Sequence, residues 1–437
     1  MGILFKNAAV LTKKDGKYVT LENAYLGVEG KYIDYIGVKK PKKKYEVEKD
    51  YRKKILVPGL INSHTHIPMV FIRGFGIGHT LQEWLYDFIF PIEAKMTAKQ
   101  IKWASYYALL EMISSGTTSF TDMYFFSEET VKAVADAGVK ANLNKYINCF
   151  DENQKIEDSL IPASVEFFKK YNGMADGRII ADFSIHSEYT CKPHIVKEYS
   201  RLCKENGARM HLHLSETKKE HEECIERYGM TPAEWFESMG TFDNPTTAAH
   251  CVWISNSDRK ILKNHDVTVV HNPTSNLLLG NGFAPIRGLR REGINIALGT
   301  DGAASNNNLN MIEEMHIATI ASDGYHLDPT YLNGSDVIDM ATINGAKGQG
   351  RDDTGILEVG KCADIVALNL DRIYTYPIFD YTVMLTSEAQ ASDVCLNMVD
   401  GKILYEDGEF LTLDKDKIIR NFKREVESFF KEEGIRK

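Results

Sequence analysis

The chain has 437 residues and a mass of 49.4 kDa, with 43% hydrophobic and 26% charged residues, so it holds one enzyme-sized core and a smaller appendage rather than a long disordered region. A formal charge of -9 and a pI near 5.9 exclude a polyanion as the main partner, because nucleic-acid binding needs a basic surface, and favour a small molecule. No run approaches the ~20 apolar residues that cross a bilayer, which also argues against a membrane partner.

In chain order, residues 1 to about 57 read as short β segments broken by turns, among them Ala8 to Thr12 and Ala24 to Val28. Met1 to Lys6 lacks the charged-then-apolar pattern of a secretory leader, and Lys39 to Lys44 reads as a solvated turn. From Thr118 to Leu298 apolar β-rich runs alternate with helical patterns: 118–123, 179–185, 209–214, 246–252, 267–270 and 294–298. That alternation predicts parallel strands with helical crossovers. In such a (β/α)₈ (TIM) barrel, the polar residues that close each strand are the candidate catalysts. Short strands return at Ala363 to Leu368 and at Met398 to Leu404, followed by a charged helix from about Asp414. The two terminal segments can pair into one β domain, giving residues 1–57 plus 358–437 beside a barrel of residues 58–357. Seven cysteines without a CxxC pair suit free thiols in the cytoplasm, with neither disulfides nor a thiolate metal site.

The strongest local signal is Val57 to His66, an apolar strand that ends in His64-Thr65-His66. Side chains alternate across a strand, so both imidazoles face one way and can share a metal ion. Alone the pair is ambiguous, because an isolated His-x-His is more often two polar loop residues. Three further strand ends strengthen it. In Met210 to Glu216 the ligand candidate is His213, Glu216 is placed to exchange protons with a substrate, and His211 reads as a packed barrel residue. Ala248 to Cys251 presents His250, and Ala297 to Gly302 presents Asp301. Three imidazoles and a carboxylate suit Zn²⁺ or Fe²⁺.

These residues, with Pro58-Gly59-Leu60, resemble the amidohydrolase superfamily over nearly the whole chain. Arg73-Gly74, Glu83-Trp84-Leu85, Pro91-Ile92-Glu93, His271 to Asn276, Gly280-Asn281-Gly282 and Gly299 to Asn307 are similar to the 5-methylthioadenosine/S-adenosylhomocysteine deaminases. The resemblance implies a β-sandwich from both termini beside the barrel. It implies a metal held by His64, His66, His213 and Asp301, and substrate contacts from Glu93, His186 and Glu216. One metal ion per chain, Zn²⁺ before Fe²⁺, is the consistent reading, since Phe183 to His186 offers a histidine where binuclear relatives carry a carboxylated lysine. The implied reaction is deamination of an adenosine-type nucleoside, with catalysis by Glu216, His250 and Asp301.

Trp84, Tyr86, Phe88 and Phe90 are candidates to wall the base, although aromatic residues at such spacing are more often core. Glu93 either binds a ribose diol or caps the helix that starts near Met96-Thr97. The substrate candidates are thus Glu93, Lys145, His186, Glu216, Asp301, Trp84 and Ser305. Two positions depart from the family pattern: Lys145 stands where many relatives carry arginine, and Glu188 adds an acid. The rival readings are guanine- or triazine-type amidohydrolase chemistry and, in another class, a metal-free barrel serving as an assembly protein. Retention of every ligand position argues against the last. A homo-oligomer is compatible with all of them.

Overall fold

Eight parallel strands build a nearly closed barrel in the computed structural model, which describes residues 2–435. They are Leu60–Thr65, Thr117–Tyr124, Lys140–Lys145, Ile179–Ile185, Met210–Leu214, Thr246–His250, Thr268–His271 and Ile296–Leu298, each paired with the next. Just past the eighth strand the ring is drawn together by two bonds of 2.9 Å, Asp301 N to the His64 carbonyl and Thr300 N to Asn62 Oδ1. Helices cover the outside, so a strand such as Thr117–Tyr124 is buried along its whole length.

The third strand, Lys140-Ala141-Asn142-Leu143-Asn144-Lys145, does not stand out in the sequence because it holds only two apolar residues. Its asparagines serve a polar barrel interior: Asn142 Nδ2 donates to Asp182 Oδ2 at 2.8 Å, and Ser184 Oγ donates to Asn144 Oδ1 at 2.5 Å. Buried polar groups are tolerated there because neighbouring strands supply partners.

Both ends of the chain supply a separate nine-stranded mixed sheet, in the order Glu409–Phe410, Lys402–Glu406, Val394–Val399, Ile365–Asn369, Lys54–Pro58, Gly2–Lys14, Lys17–Glu29 and Tyr32–Gly37, with Val47–Asp50 beside Gly2–Lys14. The two-residue period of its strands sorts side chains between two cores. Val10, Leu56, Ile365 and Ala367 fill the sheet's own core, while Leu11, Ile55, Val57, Val366 and Leu368 join the core of the barrel. The run from Met398 to Leu404, expected as one strand, is a hairpin. Asp400 and Gly401 both take positive φ, 48° and 72°, and Val399 pairs with Lys402 across the turn. A two-residue Asp-Gly loop favours that reversal.

The charged C-terminal helix, Lys415–Glu432, opens with Asp414 accepting from Lys417 N at 2.9 Å. It packs on the barrel helix Ala98–Ser114, with Phe422 stacked on Tyr107 at 4.0 Å between centroids. Among the described residues no helix is long and apolar enough to cross a membrane.

Candidate active site and metal centre

His64 lies one residue before the end of the first barrel strand, His66 just after it, His213 on the fifth strand and Asp301 after the eighth, so their side chains meet at one mouth of the barrel. His66 Nδ1 donates to the Met123 carbonyl at 2.5 Å and His213 Nδ1 to the His186 carbonyl at 2.7 Å. Those acceptors fix the ring protons on Nδ1 and leave the two Nε2 lone pairs facing each other at 3.2 Å. His64 Nδ1 lies 2.8 Å from Nε2 of His211, which is a packed barrel residue as expected, and the buried His64 Nε2 has no hydrogen-bond partner. Asp301 Oδ1 stands 3.3 Å from Nε2 of both His64 and His66. Its other oxygen accepts from Ser275 Oγ at 2.6 Å and Ser305 Oγ at 2.7 Å.

Lone pairs converging on a carboxylate require a positive charge between them. Left to the protein alone, that charge is a proton: burial pushes the His66 imidazole down, but Asp301 outweighs it and lifts the pKa to about 9. A divalent cation fits the same place better, because nitrogen lone pairs and a carboxylate oxygen are its preferred donors. The ligand atoms of His64, His213, His250 and Asp301 also lie within 4.8 Å of one another, so His250 borders the same centre.

Glu216 and His250 flank the cluster. Ser215 adopts φ +46°, and the buried Glu220 carboxylate accepts from the backbone N–H groups of Ser215 at 2.9 Å and Glu216 at 2.7 Å, holding this reversal in place. The Glu216 carboxyl accepts from Asn281 Nδ2 at 2.8 Å through Oε1, while Oε2 lies 3.7 Å from His250 Nε2. Burial, and then the charge of Asp301, push the Glu216 pKa up to about 8, which favours its protonated form. His250 itself has φ +72°, and its Nδ1 lies 2.9 Å from Asn276 Oδ1, which turns Nε2 inward. Above them opens a cavity walled by Trp84, Phe90, Tyr146 and Met123, with Glu93, His186 and Ser305 at its sides.

Residues 55–404 match the amidohydrolase family. The chain belongs to that family. It is 40% identical, over 98% of its own length and 99% of the relative's, to a 5-methylthioadenosine/S-adenosylhomocysteine deaminase of Thermoanaerobacter pseudethanolicus. It is 38% identical, over 97% of its length and 98% of the relative's, to a 5'-deoxyadenosine deaminase of Methanosarcina mazei. Among solved structures, an adenosine deaminase from Xanthomonas campestris with bound zinc superposes with a TM-score of 0.91 at 27% identity, covering 98% of each chain.

In this amidohydrolase Glu93 is no helix cap. Thr97 and Gln100 cap that helix themselves, and Glu93 instead accepts from the Tyr124 hydroxyl at 2.6 Å, with burial lifting its pKa to about 7. Trp84 donates to the Phe75 carbonyl at 3.0 Å, which fixes the indole at the cavity wall. Lys145 is not among the cavity-lining residues; its ammonium pairs with Glu128 at 2.9 Å. Glu188, buried beyond His186, is bound by Arg227 at 2.6 Å. Sequence reasoning assigned no role to Tyr124, Tyr146, Glu220, Asn276 or Asn281. The asparagines lie inside the motifs singled out above, whereas Tyr124 falls one residue past the expected 118–123 run and closes the observed strand Thr117–Tyr124.

Proposed function

We propose that this amidohydrolase holds one divalent ion per chain, Zn²⁺ before Fe²⁺, on His64, His66, His213 and Asp301. With it the enzyme deaminates adenosine-type nucleosides, among them 5'-methylthioadenosine, S-adenosylhomocysteine and adenosine, to the inosine-type product and ammonia. The observation that carries this reading is the buried Glu216 carboxyl, held by Asn281 and lining the cavity beside the histidine and aspartate cluster. Deaminase names on relatives across the full length support it.

When bound, the ion supplies the Lewis acidity that brings the pKa of water from ~15.7 toward neutrality. Asp301, one oxygen steadied by Ser275 and Ser305, accepts a proton from the attacking water. His250, its Nδ1 engaged by Asn276, orients that water through Nε2. Glu216 gives its proton to the ring nitrogen beside the carbon under attack, and the hydroxyl adds to that carbon. Asp301 then passes its proton to the amino group, the C–N bond breaks and ammonia leaves. The hydroxyl proton left on the product carbon returns to Glu216 as the keto group forms. One water is consumed and both carboxyls end as they began.

Glu93 has one oxygen engaged by Tyr124, leaving the other to accept from a ribose hydroxyl. A free base gives neither Glu93 nor His186 a partner, so nucleosides are favoured over adenine by roughly a few kcal/mol. The apolar and aromatic wall suits a methylthio or unmodified 5' end. With Lys145 committed to Glu128 in a partly exposed pair, an amino-acid tail gains only about 0–1 kcal/mol there. Ammonia release from adenosine, 5'-methylthioadenosine, S-adenosylhomocysteine, adenine, guanine and a chlorotriazine tests the reading. Methylthioadenosine or adenosine should match or exceed S-adenosylhomocysteine in kcat/KM, an order that Lys145→Met leaves unchanged. Faster turnover of guanine or the triazine would reject it.

A further inference from the structure

Glu216 has two oxygens, and only one of them can hand a proton to substrate from a given pose. Oε1 is occupied by the Asn281 side chain at 2.8 Å, whereas Oε2 looks toward His250 and the cavity. We propose that Asn281 is a positioning residue for Glu216, taking up Oε1 as the carbonyl oxygen and so confining the transferable proton to Oε2. This rests on the reading of Glu216 as proton donor to the ring.

The chemistry follows from the acceptor strengths within a carboxylic acid. Its carbonyl oxygen accepts a hydrogen bond better than its hydroxyl oxygen, so an N–H donor at Oε1 favours the tautomer with hydrogen on Oε2. For the donor to enforce this it must be fixed independently of Glu216, and it is. Asn281 is buried, its backbone N–H donates to the Asn276 carbonyl at 2.8 Å, and its own carbonyl accepts from Trp253 Nε1 at 2.7 Å. Trp253 is tied in turn by its backbone N–H to the Ser215 carbonyl at 2.9 Å. Gly280 and Gly282 flank Asn281 with φ +68° and +115°, conformations open to glycine. A Cβ at Gly282 would stand 3.2 Å from Val252 Cγ1, so the loop also needs that close approach. On the other side, Glu220 holds the backbone that carries Glu216. The proton donor is therefore gripped at its main chain by one residue and at its carboxyl by another.

Without the asparagine the carboxyl rotates and presents its proton in more than one direction, so the loss falls on turnover rather than on binding. In the metal-loaded enzyme, Asn281→Ala is expected to lower kcat roughly 10- to 100-fold, with KM within about 3-fold of wild type and metal content unchanged. Asn281→Leu, similar in size but without a donor, should behave alike, which guards against a cavity artefact. The deciding measurement is the double variant. If Asn281 acts through Glu216, Asn281→Ala in a Glu216→Gln background should cost nothing further. Near-normal kcat in both Asn281 variants, an equal further loss in the double variant, or loss of the metal from Asn281→Leu would each overturn the proposal. Near-normal kcat in Glu216→Gln alone would instead sink the donor assignment beneath it.

Discussion

His66 and His213 each engage Nδ1 with a backbone carbonyl, and this decides what their Nε2 atoms can do. With protons fixed on the outer nitrogens, the inner ones have only lone pairs to offer, and Asp301 faces them with a carboxylate. His64→Ala or Asp301→Asn should therefore abolish turnover and reduce bound metal well below one ion per chain by elemental analysis. Two ions per chain in the wild type would contradict the mononuclear assignment. Glu216→Gln separates proton transfer from metal binding: the metal should stay while kcat falls by at least ~10²-fold, since an amide has no comparable acidic proton to give. The ligand candidates are legible in the sequence because each closes an apolar strand. What is not legible is the set of residues that orient them. The Met123 and His186 carbonyls act through backbone, which carries no residue signature. Glu220 looks in the sequence like one more surface acid of a charged helix, yet it is buried against the Glu216 backbone.

The strands around the barrel are readable to the extent that they are apolar. Ile179–Ile185 coincides with its expected run, whereas Lys140–Lys145 is masked by polar residues that face the barrel interior, a place where patterning by hydrophobicity has no purchase. The Met398 to Leu404 run misleads for the opposite reason, since its apolar flanks hide a two-residue turn. The C-terminal helix is legible as charged and amphipathic, but its partner is not. It lies on the barrel, where Phe422 and Phe429 meet Phe71 at 6.0 and 5.4 Å, and Phe71 belongs to the Ile67–Ile72 turn that follows His66. Removing a buried ring of this kind costs about 3–5 kcal/mol. Phe422→Ala should thus lower Tm by at least ~3 °C while kcat and metal content at 25 °C stay near wild type. An unchanged Tm would mean that the helix contributes nothing to the barrel's stability.

Across the whole molecule the buried carboxyls make stability depend on pH in a direction opposite to that of surface acids. Glu314 shows the effect most cleanly. It is buried against the first turn of the helix Pro273–Leu278 and the loop that carries Ser305, accepting from Thr274 N at 3.0 Å and Asn306 Nδ2 at 2.8 Å, and among the described residues no basic group lies in hydrogen-bonding reach. Burial lifts its pKa from 4.5 to about 7, more than the hydrogen bonds lower it. A carboxyl raised in this way binds its proton more tightly in the folded state than in the unfolded one. Its contribution is fully present below about pH 4.5 and is lost as pH rises through about 7. Burial likewise raises Asp182 to about 6 and Glu220 to about 7, so the native state takes up several protons across this window. For Glu314 alone the shift corresponds to about 3 kcal/mol. Glu314→Gln keeps the size of the side chain and removes its titration. Thermal unfolding of both proteins from pH 4.5 to 8 should show their Tm values close at the acidic end, with the variant gaining on wild type as pH rises. Parallel Tm curves would show that Glu314 stays ionised in the fold, with its two donors outweighing the cost of burial.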